Sequence, residues 1–385
     1  MKLLTSFLQV TLLFVSNVVF AQTANDSDTY KFKNTKIVKA SPVKDQGSSG
    51  TCWCFSTISM LESELLRTGK GEFDLSEMYI VRHTYESKAE KYIRMHGSID
   101  FSGGGELNDV GDVIKTFGIV PQSIYSGVKP KEEKISHTEM DKVLKAYVDA
   151  IVKPKEPSIS NVWFKGFDKV LDTYLGELPQ KFSYEGQEYT PQMFSQKLGI
   201  NPDDYVLFTS FTHHPFYQKF ILEIPENWSW GEYYNVPIEE LISIIDNSLN
   251  NNYSLVWAAD VSDKGFSYNK GLAIVPEFDE KKASSSDWEK ALKQPSPEKE
   301  ITQTMRQEQF DNFSTTDDHG MHMTGLAQDQ NGKKFYYIKN SWGTGNIYNG
   351  YLYVSEAYVK LKTISILVNK NAIPKEIRNK FQELK

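Results

Sequence analysis

Apolar residues recur at helical spacing through the first part of the chain and give way to short continuous or alternating apolar runs towards its end. Phe55, Ile58, Leu61, Leu65 and Leu66 predict a helix from Cys52 to Thr68, which Gly69 ends. Asp74-Leu75-Ser76-Glu77 places Ser76 as the N-cap of a second helix running towards Met95. Leu107, Val110, Ile114 and Phe117 share one face of a third, and Gly118 stops it. Met140, Val143, Leu144, Tyr147 and Ile151 predict a helix over about 139–152. Pro237 opens another as its first residue, through Ile238, Leu241, Ile242, Ile245 and Leu249. Later the period changes. Ser254 to Val261, Met321 to Gln328, Phe335 to Lys339 and Tyr351 to Val354 have strand character, and Asp329-Gln330-Asn331-Gly332 is a turn. Residues 319–341 therefore predict one β-hairpin, residues 22–41 an extended polar segment and residues 279–318 a charged surface excursion. Helices early and strands late give an α+β fold with two unlike halves.

Composition narrows this picture. The only cysteines are Cys52 and Cys54, which excludes a disulfide-stapled scaffold and any multi-cysteine metal site made by one chain. A net charge of −7 argues against a nucleic-acid surface. Lys2, the apolar stretch Leu3 to Phe20 and the small-residue site at Ala21 read as a signal peptide over 1–21. The remaining 22–385, with no second long apolar run, is expected to be exported to the periplasm or outside, with no membrane attachment after signal removal.

Candidate chemistry concentrates between Asp45 and Ser56. Two glycines allow a tight turn before a cysteine that starts a helix, where free N–H groups and the helix dipole favour a thiolate. Gln46, across the Gly-rich turn, can aim its amide at the same point, so that with the Cys52 N–H it offers two donors to an oxyanion. Such a nucleophile needs a base and an orienting group. The hairpin supplies both, since His319 and His322 each fall within reach of Asn340 across it. Spacing alone does not choose between the two histidines. Cys54 is read as buried structure, and His213-His214 as a loop or core pair rather than a metal site.

Gln46 to Trp53, Asp318-His319-Gly320-Met321 and Asn340-Ser341-Trp342-Gly343-Thr344 resemble the three active-site blocks of papain-like cysteine peptidases. Leu75-Ser76-Glu77 and Gly103-Gly104-Gly105 match two minor blocks in the same order. The resemblance implies Cys52 as nucleophile, His319 as general base and acid, Asn340 as the orienting residue and Gln46 in the oxyanion hole. It further implies that Trp342 shields the His–Asn bond, and that Gly104 and Gly105 let a substrate backbone pair in β fashion. Peptides are the implied substrates, and no metal or organic cofactor is called for. Ser49, where secreted papain relatives carry a disulfide cysteine, is similar to the bleomycin hydrolase or aminopeptidase C branch. So is the spacing of 267 residues from Cys52 to His319, about 120 more than the papain type.

The implied architecture is a papain-like two-lobe fold with large insertions. A helical lobe spans about 40–125, an insertion about 126–235 and a β-barrel-like, β-rich lobe about 236–375. In the branch named, a C-terminal arm lies in the cleft and its carboxylate anchors the substrate's amino group. This chain ends in a short basic helix-like segment from Ile373 to Lys385, of which Glu376 to Lys385 is expected to be a solvated end, without that arm. The resemblance implies thiol-dependent aminopeptidase action; the missing arm makes an open-cleft endopeptidase the alternative, and a non-catalytic exported binding protein is the alternative of another class. A homo-oligomer stays open.

Overall fold

The computed structural model describes residues 29–128, 134–153 and 158–384, so the segment 1–21 read as a signal peptide lies outside the described residues. In chain order the elements are β1 (Phe32–Ile37), α1 (Cys52–Arg67), α2 (Glu77–Arg94), α3 (Leu107–Phe117), α4 (Thr138–Val152) and α5 (Val162–Leu175). There follow β2 (Phe182–Tyr184), β3 (Gln187–Tyr189), α6 (Pro191–Leu198), β4 (Tyr205–Thr209), β5 (Lys219–Ile221), β6 (Glu232–Asn235), α7 (Ile238–Asn250) and β7 (Leu255–Ala259). The chain continues through β8 (Phe266–Ser267), β9 (Leu272–Ala273), α8 (Ser285–Ala291), α9 (Gln303–Asp311), β10 (His319–Asp329) and β11 (Lys334–Lys339). It closes with β12 (Tyr351–Ser355), α10 (Glu356–Lys362), β13 (Thr363–Asn369) and α11 (Lys375–Arg378). No helix among the described residues is long and apolar enough to cross a membrane.

The early helices form where the periodicity places them, for local reasons. Ser76 Oγ accepts the Tyr79 N–H at 3.0 Å and so satisfies a free donor of the first turn of α2. Gly118 ends α3 at φ +82°, a conformation that an L side chain rarely adopts. Pro237 stands one residue outside α7, as its N-cap.

The sheet runs β5-β6-β4-β13-β7-β10-β11-β12-β9-β8, with β1 added to the far half of β10. It has two ends and does not close, which corrects the barrel-like lobe expected from the sequence. Strands β4, β5 and β6, from the stretch read as an insertion, extend it beyond β13. Strand β10 organises the rest. Its residues His319–Met323 pair with β7, Gly325–Asp329 pair with β1 along the same edge, and β11 takes the other edge. The hairpin register sets His322 opposite Lys339.

Two apolar cores meet at β7. Val256 and Ala258 belong to the core of the helical half, with Ile58, Leu61, Met78 and Phe167. Leu255, Trp257 and Ala259 face the other, with Leu241, Ile245, Met323 and Ile366. Alternate side chains of a strand point to opposite faces, so burial on both faces makes Leu255–Ala259 a continuous apolar run. Helix α1 packs against both β7 and β10 on one side, and against α2 and α3 on the other. This is why all but a few of its residues are buried.

Three further expectations change. The segment 279–318 is not simply a surface excursion, because it holds α8 and α9 and buries Trp288 and Arg306. The Arg306 guanidinium donates to the carbonyls of Ser210 (2.7 Å) and Lys360 (3.2 Å) and lies 4.5 Å over the Phe211 ring, which is how a charged residue fits there. The polar N-terminal stretch supplies β1, and the C-terminal segment is docked rather than solvated. Ile377 and Phe381 are buried, the latter against Tyr234 and Phe208.

Gly320 is where β10 comes closest to α1. A Cβ there would lie 2.9 Å from Ser56 Oγ and 3.3 Å from Trp53 Cα. Gly320→Ala is expected to force strand and helix apart and to cost about 1–3 kcal/mol of stability, read by urea denaturation.

Candidate functional site

A cleft of about 390 Å³ opens where the first turn of α1 faces the start of β10, lined by Gln46, Cys52, Gly104, Gly105, His319 and Trp342 among others. The structure thus brings together all the sequence-derived candidates that line it, and Asn340 stands directly behind His319. Each is placed by its local structure.

The turn before α1 is fixed at Gln46. Its backbone N–H donates to the Ser341 carbonyl at 2.8 Å. Its Oε1 accepts the Ser341 hydroxyl at 2.6 Å, and its Nε2 donates to the Ser49 carbonyl at 2.8 Å. One proton of Nε2 remains for the cleft. Cys52 is the first residue of α1 and is half-buried. Cys54 is fully buried and its thiol points to the Glu77 carbonyl at 3.4 Å, away from the cleft.

His319 opens β10 opposite Ala259. Its Nε2 donates to Asn340 Oδ1 at 2.7 Å, because an amide oxygen can only accept. That bond fixes the tautomer and leaves Nδ1 with a free lone pair. The Trp342 ring covers the imidazole, with centroids 4.5 Å apart and planes 32° apart, and keeps water from the bond. Asn340 Oδ1 also accepts the Ser341 N–H at 2.7 Å, which holds the amide in place.

His322, the other histidine within reach of Asn340 in the sequence, lies elsewhere. It is buried under α1, with Nδ1 2.8 Å from Ser59 Oγ, and does not line the cleft. Burial, reinforced by the Lys339 ammonium, holds it well below the ordinary imidazole range. Two positions of β10 thus go to opposite sides of one strand, as the alternation of side chains requires.

Burial dominates the electrostatics. It pushes the Cys52 thiol up to about 12, against the N–H groups of Gly320 and Trp53 that favour the thiolate. It pushes His319 down to about 4, against the bond to Asn340. Both effects of burial disfavour the charged forms, while the two N–H groups and the bond to Asn340 work the other way.

The glycine run is needed for close packing. A Cβ on Gly105 would come within 2.9 Å of the Trp53 ring, and one on Gly104 within 2.9 Å of Glu226 Cγ. Trp53 Nε1 donates to the Gly103 carbonyl at 3.1 Å. The buried Lys88 ammonium holds the carbonyls of Ser102 (3.0 Å) and Gly104 from behind.

Sequence reasoning missed the carboxylates of this cleft. Glu106, Glu226, Asp317 and Asp318 all line it, and among the described residues no lysine or arginine does. Glu106 and Asp317 adjoin motif residues and were legible by position. Glu226 comes from a distant loop that carried no pattern. Among the described residues, one cluster has metal-ligand donors, made by His213 and His214 of the loop between β4 and β5 and by Glu223 just after β5. His213 and His214 lie 3.2 and 2.9 Å from the Glu223 carboxylate. Gln307 donates to His213 Nδ1 at 3.0 Å, which leaves that proton on Nε2 and ties the ring into a hydrogen-bond network.

Known proteins place this geometry. The profile of the Peptidase C1-like family matches residues 12–385. Aminopeptidase C of Lactobacillus helveticus is 20% identical over 386 residues, covering 88% of this chain and 82% of its own. Bleomycin hydrolase of Mus musculus is 19% identical over 401 residues, covering 90% and 84%. The crystal structure of pepw from Lactobacillus rhamnosis matches with a TM-score of 0.70 at 19% identity, over 90% of this chain and 84% of that one. A thiol at a helix start faces an imidazole held by an amide, on a fold and family profile that span nearly the whole chain: it belongs to the Peptidase C1-like family and is a papain-like cysteine peptidase.

Proposed function

We propose that this peptidase works through Cys52, His319, Asn340 and Gln46, and that it removes residues from the amino end of peptides. The observation that carries the catalytic assignment is the shielded 2.7 Å bond from His319 to Asn340, in the cleft that holds Cys52. Nδ1 of His319 takes the proton of the Cys52 thiol as the sulfur attacks the scissile carbonyl carbon. The carbonyl oxygen becomes an oxyanion and accepts from Gln46 Nε2 and the Cys52 N–H. The tetrahedral species collapses, the carbon–nitrogen bond breaks, and His319 hands its proton to the leaving amine. Water then gives a proton to His319 and attacks the thioester, and the departing sulfur recovers that proton from the imidazole. Asn340 keeps the ring in one orientation throughout.

The similarity to aminopeptidase C, over most of both chains, supports action at a free amino end. The competing reading, an endopeptidase with an open cleft, draws on the C-terminal residues. Those up to Leu384 pack against Phe208, Tyr217, Tyr234 and Lys219, none of which lines the cleft. Export through residues 1–21 also belongs to this proposal, with peptides outside the cytoplasm as substrates.

Free aminoacyl amides are expected to be cleaved at least tenfold faster than their N-acetylated forms, and Cys52→Ala to cleave neither. A preference for N-blocked peptides would establish the endopeptidase instead, and full activity in the variant would remove Cys52 from the mechanism. Gln46→Ala is expected to lower kcat roughly 10²–10³-fold with a much smaller change in KM. The pH profile of kcat/KM is expected to fall on its acid side through about pH 4, where His319 gains its second proton and can no longer take one from the thiol. The observed midpoint belongs to the thiol–imidazole pair as a whole.

A further inference from the structure

The wall of the cleft around the glycine run is built from carboxylates that the hydrolytic chemistry does not need. Among the described residues, four acids line it and no lysine or arginine does. Negative charge there works against the nucleophile, since Asp317 and Glu106 each add to the upward push on Cys52. A group that opposes the chemistry yet is held in the cleft calls for a reason in recognition.

Asp318 is already engaged, because it accepts from the N–H groups of Val261 and Ser262 at 3.2 and 3.1 Å and from the Thr316 hydroxyl. The other three differ. Glu106 is 2% exposed; Tyr233 donates to its Oε2 at 2.7 Å, while its Oε1 has no donor at all. The Glu106 carboxyl also lies within hydrogen-bond reach of that of Asp317, so two acids confront each other and can share a proton. Burial raises both, Asp317 to about 7, so the shared proton is retained in the empty cleft near neutrality. Glu226 lies over Gly104 and forms no ion pair among the described residues. The nearest cation, Lys88, is turned to the backbone carbonyls of Ser102 and Gly104. A buried carboxylate oxygen without a donor, an acid partner across from it and a third unpaired acid above the glycine strip form a receptor for a small hydrogen-bonding cation.

We propose that Glu226, together with the Glu106–Asp317 pair, binds the protonated α-amino group of the peptide substrate and so determines the specificity for free amino ends. This rests on the aminopeptidase reading above. An ammonium carries three donors and a compact charge, which matches three carboxylates better than a single hydroxyl or amide would. The glycine strip lets the substrate backbone lie close enough for its first residue to reach them. A bound ammonium also cancels the negative field on Cys52, so a substrate with a free amino end eases formation of the thiolate that attacks it.

The test compares wild type, Glu226→Gln and Asp317→Asn on three substrates: a free aminoacyl amide, its N-acetyl form, and an N-acetyl dipeptide amide with lysine first. Glu226 is half-exposed and its amide isostere should fold normally. In both variants the ratio of kcat/KM for free over acetylated substrate is expected to fall about tenfold to a hundredfold, mainly through KM. A wild type that prefers free amines, with the ratio unchanged in both variants, overturns this proposal and leaves the aminopeptidase reading intact. Loss confined to the N-acetyl-lysyl substrate overturns it too, by showing that the acids read a side chain. A wild type that prefers blocked peptides fails the aminopeptidase reading itself.

Discussion

The contact between the start of β10 and the first turn of α1 is the constraint on which the active centre depends. Gly320 has no side chain, and Ser56, Trp53 and Cys52 of the helix occupy the space one would need. His319 precedes it and is therefore delivered to the helix start, while the Gly320 N–H faces the Cys52 sulfur. The approach is held from both sides by packing. Strand β7 lies beside β10 with alternate side chains in the two cores, so neither half of the molecule can shift without opening the other.

Beneath that contact lies a polar base. Ser59 of α1 meets both His322 and the Lys339 ammonium, and Lys339 also reaches Ser41, which bonds Glu62. Glu62 accepts from Lys44 and from the Leu75 N–H, and Lys44 continues to Glu77. Buried polar groups are costly unless satisfied, and a connected set fixes its members in one arrangement. Here the set ties α1, the hairpin and the start of α2 together. The same burial disfavours the charged forms of the thiol and the imidazole.

The apolar pattern located α1, α2, α3, α4 and α7 because each is amphipathic or capped by residues whose role is local. It also located the four strands around β10, whose burial on both faces leaves continuous apolar runs. Strand β1 was hidden by its edge-like alternation, since Lys33 and Lys36 share it with Phe32 and Ile37. Helices α8 and α9 were hidden by charge, and Arg306 is the example, buried because backbone carbonyls and Phe211 receive it. The barrel-like lobe implied by resemblance is an open sheet. Which strands sit at its ends depends on pairings between residues more than a hundred apart, as for β4 with β13.

By itself the sequence determined the chemistry: one cysteine at a helix start after a Gly-rich turn, an amide before it, and a hairpin carrying a histidine and an asparagine. These are local features, set by short-range spacing and residue type. Tertiary structure decided what spacing left open. It placed His319, not His322, in the cleft with Cys52, since only one face of β10 meets the cleft and the other is pressed against Ser59. It also assembled the acidic wall, bringing Glu226 to within touch of Gly104 across more than a hundred residues of chain. No periodicity or motif encodes such a juxtaposition, because it exists only once the lobes have packed.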